Sequence, residues 1–243
     1  MDSQLYTAAS GLLAEERRLE LLSNNLANVH TPGFRAQRAF AAVFQKFDAE
    51  APQQVRAANA GVAIAGSYES AGAGPVSETG RALDVALEPG RFLVVATPAG
   101  RRYTRAGNLQ ADASGGLVDG AGRPVLGSDG SPVSGLTTDP RVAADGRVFD
   151  GTNEAGSLLV VADPGHVLRP EGGNLLTAEG ADQKLETQPS PTLRPGWLEG
   201  SAVDALGEMV QLIESQRAFE SYQKIVSLTV NEVDRHAVND IAG

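Results

Sequence analysis

The sequence contains no cysteine. That excludes disulfides, zinc–thiolate sites and a cysteine nucleophile. It also suits a chain that crosses or occupies an oxidising compartment, where thiols could mispair. Aromatic residues are only 5% of the 243, so a core must be built chiefly of Leu, Val, Ile and Ala. No apolar run reaches the roughly 18 residues that a membrane-spanning helix needs. The opening Met1-Asp2-Ser3-Gln4-Leu5-Tyr6 lacks a basic stretch followed by an apolar one. Any export is therefore expected to proceed without a cleaved signal peptide. A basic stripe is also missing. The net charge is −10, with residues 1–47 at +1, residues 48–196 at −6 and residues 197–243 at −5, so nucleic acid is a poor partner. There is no nucleophile elbow, P-loop, dinucleotide fingerprint or H-E-x-x-H. Thirty carboxylates could supply a chance pair, but no constellation for catalysis, a cofactor or a small-molecule substrate stands out.

What is present divides the chain in three. Residues 48–196 hold 23 of the 28 glycines and 12 of the 13 prolines. Both residue types break helices, so helices belong at the two ends and turns in the middle. At the N-terminus, Leu5, Ala8, Leu12, Leu19, Leu22, Leu26 and Val29 alternate three- and four-residue spacings, with Glu15 the one polar interruption. This predicts an a/d seam on a helix over about residues 3–28. Thr31-Pro32-Gly33 ends it, because the residue before Pro avoids the α region. At the C-terminus, Met209, Leu212, Phe219, Val226, Val230, Val233 and Ala237 predict a second seam on a helix over about 202–240, with Gln216 and Gln223 as polar interruptions. Ile213 and Ile241 widen that stripe. Ser201-Ala202-Val203-Asp204 reads as its capping box.

The middle reads as β structure. Phe92–Ala96, Arg102–Arg105, Leu117-Val118, Pro124–Leu126, Val148-Phe149 and Leu158–Ala162 are short runs between Gly- and Asp-rich turns. This predicts an antiparallel sandwich or barrel. The fold class is therefore α+β, with paired, coiled-coil-like terminal helices and an inserted antiparallel β domain. The boundaries are 1–34 plus 201–243 for the helical domain, 35–80 for an extended connector with little regular structure, 81–186 for the β domain and 187–200 for a return linker. Each seam needs a partner, and the two can pair with each other or with neighbouring molecules.

Two sets of residues are more specific. Ala9-Ser10-Gly11-Leu12, Leu22-Ser23-Asn24-Asn25-Leu26-Ala27-Asn28 and Thr31-Pro32-Gly33-Phe34 resemble the N-terminal signature of flagellar axial proteins, the rod, hook and hook-junction subunits. Glu208-Met209-Val210, Leu212-Ile213, Gln216-Arg217-Ala218-Phe219-Glu220 and Lys224 resemble the matching C-terminal signature. Trp197-Leu198-Glu199-Gly200-Ser201 precedes it as in the family, with Ala202 where the family carries Asn. The resemblance is strong at both ends and weak in the middle. Within the family, Arg81-Ala82-Leu83-Asp84-Val85-Ala86-Leu87 is similar to the segment opening the β domain of proximal rod subunits. The alternatives are a distal rod subunit, or a non-flagellar β-sandwich binding module with helical ends.

The resemblance implies a structural subunit of the basal-body rod, polymerising through its terminal helices, with the β domain facing outward. It implies homo-oligomer contacts, other rod proteins and the flagellar type III export apparatus as partners. It also implies a position in the rod across the periplasm. The signature residues are then the candidate assembly residues. Asn24, Asn25 and Asn28 are poor helix formers, and their amides are expected to hydrogen-bond across a subunit contact. On that reading Asn25→Ala leaves the isolated subunit folded and weakens polymerisation. Arg217 is expected to pair with a neighbour's Glu15, Glu16 or Glu20. The Asp-Gly turns around Asp112, Ser114 and Asp119 lack the spacing of an EF-hand and are read as hairpin turns. His30, His166 and His236 follow no metal-ligand spacing.

Overall fold

A computed structural model describes residues 2–45, 60–69, 72–178, 180, 182–189 and 191–241. Two compact units share the chain. One takes Met1–Ala27, Gln37–Ser70 and Asp204–Gly243, the other Asn28–Ala36 and Ala71–Val203. The class is α+β, with a helix near each terminus and antiparallel strands between them.

In the first unit, α1 spans Asp2–Ala27 and α2 spans Ala205–Ile241. The two helices pack on each other. Their side-chain contacts pair rising numbers on α1 with falling numbers on α2 (Glu15 with Ser215, Asn25 with Glu208), so they run antiparallel. The cap of α2 lies three residues later than the sequence suggests. Asp204 sits at the N-cap, and its Oδ2 lies 2.6 Å from where a Cβ on Gly207 would stand. The Ser201 hydroxyl instead accepts the Val203 amide at 3.3 Å.

The expectation of an extended connector with little regular structure over residues 35–80 is corrected where strands occupy it. Gln37–Gln45 (β1) and Ala60–Glu69 (β2) pair antiparallel and belong to the helical unit. The intervening residues 46–59 lie outside the described residues. The abundance of Ala, Gly and Ser hid an alternation of larger residues at Val62, Ile64 and Tyr68. Gly66 lies opposite Phe40 in the ladder, and the Phe40 ring sits 2.8 Å from a would-be Gly66 Cβ. A bulge follows between Phe40 and Ala41.

The second unit is built around a six-stranded antiparallel sheet. Its order is Arg169–Gly172, Leu175–Thr177, Gly100–Thr104, Arg91–Thr97, Val160–Ala162 and Glu186–Gln188. Leu93, Val95 and Val160 join one buried cluster with Leu117, Val125 and Val148. Val94, Tyr103 and Val161 join another with Leu126, Leu168 and Leu176. Both faces of the central strands are thus covered, which is why Phe92–Ala96 reads as a continuous apolar run rather than an alternation. The expected return linker at 187–200 is also corrected. Leu193–Pro195 pairs with Val85–Leu87, and Trp197–Glu199 pairs with Val76–Glu78.

Candidate functional site

The helix seam is not where hydrophobic periodicity puts it. On α2 Glu208 and Ser215 are buried, and Leu212, Phe219, Tyr222 and Val226 on the same face are half-buried, whereas Met209, Gln216 and Gln223 are exposed. Leu212, Phe219 and Val226 are shared with the expected seam. The alternate position moves back by one residue, from 209/216/223 to 208/215/222. α1 shifts in the same sense: Ala8 and Leu22 are buried as expected, but Gly11 and Asn25 are buried where Leu12 and Leu26 were expected to be. Leu5, Val230, Val233, Ala237 and Ile241 lie outside the described side chains.

The physical reason is that polar and small residues occupy the shared face and satisfy one another there. Gly11 lets the Tyr222 ring approach to within 2.7 Å of where a Cβ would be. The Ser215 hydroxyl donates to Glu15 Oε2. Asn25 is 0% exposed. Its Oδ1 accepts the Gln37 amide at 2.8 Å, and its Nδ2 donates to the Gln37 carbonyl at 2.9 Å and to Glu208 Oε2 at 3.2 Å. The second oxygen of Glu208 lies 3.0 Å from Arg38 Nη2. It has no hydrogen bond of good geometry among the described residues, so Arg38 supplies charge compensation rather than a directed bond. Glu208 also stands in the first turn of α2, where the helix dipole favours a carboxylate.

In the second unit, Glu199 is the corresponding buried anion. Its Oε2 accepts Arg105 Nε at 3.0 Å, its Oε1 lies 3.2 Å from Arg35 Nη2, and its backbone carbonyl accepts the Gly33 amide at 2.9 Å. Gly33 has φ +67 and approaches the Arg105 backbone to 2.6 Å at a would-be Cβ, so only glycine fits this turn. Phe34 is buried, and its carbonyl accepts the Ala202 amide at 2.9 Å. The Thr31-Pro32-Gly33-Phe34 and Leu198-Glu199-Gly200-Ser201 segments are thereby joined within the chain.

The other candidate residues are placed as follows. The Ser10 hydroxyl donates to the Thr7 carbonyl, and the Thr31 hydroxyl donates to Asn28 Oδ1. Ser23, Asn24 and Ala27 are exposed, as are Ile213, Arg217, Glu220 and Lys224, while Leu12, Leu26, Leu212 and Phe219 are half-buried. Two of the carboxylates expected to meet a neighbour's Arg217 are engaged at home: Glu20 with Arg17, and Glu15 with Ser215 and Arg18.

The acidic turns fold their carboxylates onto their own loops. Asp112 Oδ1 accepts from the Ser114 hydroxyl and from the Ser114 and Gly116 amides, which holds its pKa below the ordinary carboxylate value. Asp119 Oδ1 accepts the Ala121 and Arg123 amides. Asp150 is lowered to about 2 by the Thr137 hydroxyl and then by the Asp139 and Thr138 amides. Of the aromatics that could have formed a binding platform, Tyr103 is buried. Phe149 is flanked by the Arg141 and Arg147 guanidiniums at 5.0 and 5.2 Å from its centroid. His30 and His166 are exposed, and His236 lies outside the described side chains.

Periodicity passed over Arg35, Arg38, Arg105, Glu199, Ser215 and Tyr222. The one available signal was the pair of acids in the C-terminal motif, Glu199 and Glu208, since an acid retained among apolar helix or strand positions asks for a buried partner.

Residues 5–35 match the family described as Flagella basal body rod protein, and residues 194–239 match Flagellar basal body rod FlgEFG protein C-terminal. These ranges take in both end motifs and the segments that Gly33 and Glu199 join. The flagellar basal-body rod protein FlgF of Caulobacter vibrioides is 32% identical over 98% of this chain and 97% of its own length. FlgF of Escherichia coli is 33% identical over 93% and 94%, and FlgG of Bacillus subtilis is 30% identical over 97% of each. The chain belongs to the FlgF/FlgG family of flagellar basal-body rod proteins, as a FlgF-like structural rod subunit and not an enzyme.

Proposed function

We propose that this chain is a subunit of the proximal rod. It polymerises through its terminal helices as part of the drive shaft that crosses the periplasm. In this reading the helix pair is a coiled-coil-like inner-tube domain, extended by β1 and β2. The antiparallel β domain, residues 81–186, is an insertion that faces outward. The partners are further copies of the chain, the adjoining rod proteins and the type III export apparatus, which passes the chain without cutting a signal peptide.

The observation that carries this reading is an apolar stripe on α2. Leu206, Met209, Val210 and Ile213 are exposed, Leu206 to 73%. At 100° per residue they fall on the side of α2 opposite Glu208, Ser215 and Tyr222. The stripe therefore faces away from α1, and a contiguous apolar patch of this kind marks an interaction surface. A groove lined by Leu19, Ser23, Leu212, Gln216 and Phe219 runs along the edge of the helix pair. Stripe and groove are different surfaces of one helix pair, so a contact between them is heterologous. Contacts of that type propagate into helical polymers rather than closing into a dimer.

The test is the double variant Met209→Asp/Ile213→Asp, expressed in a strain lacking the native gene. The expected result is a purified subunit with unchanged helix content and a strain that neither incorporates it into rods nor swims. Normal rods built from this variant would overturn the proposal.

A further inference from the structure

Polar pins interrupt the apolar seam of the helix pair, and the Asn25–Glu208 pin reaches β1. Glu208 is 1% exposed. Three groups face it: the Asn25 amide, the N-terminal turn of its own helix, and the Arg38 guanidinium, the one cation within ion-pair reach among the described residues. Arg38 lies on β1, and its side chain is 36% exposed while that of Glu208 is 0% exposed. The same strand holds both amide functions of Asn25 through the Gln37 backbone. Packing around these pins is incomplete. A cleft of about 280 Å³ lined by Leu21, Leu22, Arg38, Ala39, Ile64 and Gln211 lies where the helices meet β1 and β2. Water can enter a cleft of that size, so the helices and the two strands are not closely packed at this point.

We infer that β1 and β2 form a releasable clamp, and that α1 and α2 stay paired only while Arg38 is docked on Glu208. Without Arg38 the pairing would bury an uncompensated carboxylate, which is strongly unfavourable. Separating the helices lets water reach the acid. The clamp thus makes helix pairing conditional on a hairpin far from the chain ends. The inference concerns the single chain, and it stands whether or not the α2 stripe is the polymer contact.

The test is hydrogen exchange on the full-length protein, comparing the native sequence with Arg38→Met, Arg38→Lys and the double variant Arg38→Met/Glu208→Gln. Arg38→Met should lower protection of amides in residues 7–27 and 205–229 by about tenfold or more, the scale expected for breaking a buried pair. Amides of Leu93, Val95 and Val160 should be unchanged. Arg38→Lys should retain most of the protection. The double variant, which removes the buried charge along with its counter-ion, should restore it to within about threefold of native. Unchanged helix protection in Arg38→Met would overturn the inference. A double variant as loose as the single one would also overturn it, because packing rather than charge would then hold the clamp. Loss of protection throughout both units would show that the effect is not confined to the helix pair, and would overturn it as well.

Discussion

Asn25 Nδ2 and Glu208 Oε2 are 3.2 Å apart, and both side chains are buried. These two residues belong to opposite end motifs, and their hydrogen bond fixes the register of α1 on α2. The motif asparagine therefore works first inside its own chain, and the sequence-level expectation for Asn25→Ala changes accordingly. The substitution leaves the Gln37 amide and the Glu208 carboxylate without their partner, at a cost of about 1–3 kcal/mol. Chemical denaturation of the isolated protein should show this loss before any polymer forms. Asn25→Asp should be worse than Asn25→Ala, since it sets two carboxylates side by side. Native stability in Asn25→Ala would return the residue to a purely intermolecular role.

Gly11 offers a sign test for helix pairing. In an isolated helix, Gly→Ala stabilises by roughly 1 kcal/mol. Here the added methyl would stand 2.7 Å from the Tyr222 ring. Gly11→Ala should therefore lower the melting temperature, and Tyr222→Ala in the same chain should remove that penalty. A rise in melting temperature for the single variant would mean the helices are not paired at this point.

The one-residue shift in the α2 seam makes opposite predictions from hydrophobic periodicity. If Gln216 and Gln223 were seam interruptions, replacing them with Leu would stabilise the pair. Both are exposed, so Gln216→Leu should change stability by no more than about 0.5 kcal/mol. Ser215→Leu should destabilise by about 1–3 kcal/mol through overpacking and loss of the bond to Glu15. Thermal unfolding of the two variants decides between the registers.

Asp150 gives a pH signature local to the β unit. Its pKa is held at about 2 by the Thr137 hydroxyl and the Thr138 and Asp139 amides. A depressed folded pKa means its stabilising contribution is fully present above the ordinary value of 3.8 and is lost as pH falls through about 2. NMR of the Thr138 and Asp139 amides should show a titration with a midpoint near 2, absent in Asp150→Asn. A midpoint near 4 would mean these bonds are not formed in solution.

Much of the architecture is legible in the sequence, and the misses have physical causes. The terminal helices follow from three–four spacing and from the scarcity of Gly and Pro at the ends. The strands around Phe92 and Leu158 follow from short apolar runs bounded by glycine and proline. β1 and β2 are hidden because Ala, Gly and Ser dilute their alternation, and because strand pairing between residues 37 and 69 leaves little local trace. The seam register is misread because periodicity counts only apolar residues. Here Glu208, Ser215, Asn25 and Gly11 are buried by mutual hydrogen bonding and close approach, a property of the pair rather than of either helix. The end motifs identify where the important residues lie. Partner assignments such as Arg38 with Glu208, or Arg35 and Arg105 with Glu199, come from tertiary structure, since nothing in the spacing of those arginines announces a buried anion.

The central claim is that this chain is a structural segment of the rod. Electron microscopy of basal bodies from a strain lacking the gene tests it most directly. The account predicts basal bodies whose rod stops short, with no distal rod and no hook, and full-length rods once the native gene is restored. Complete rods carrying hooks in the deletion strain would contradict it.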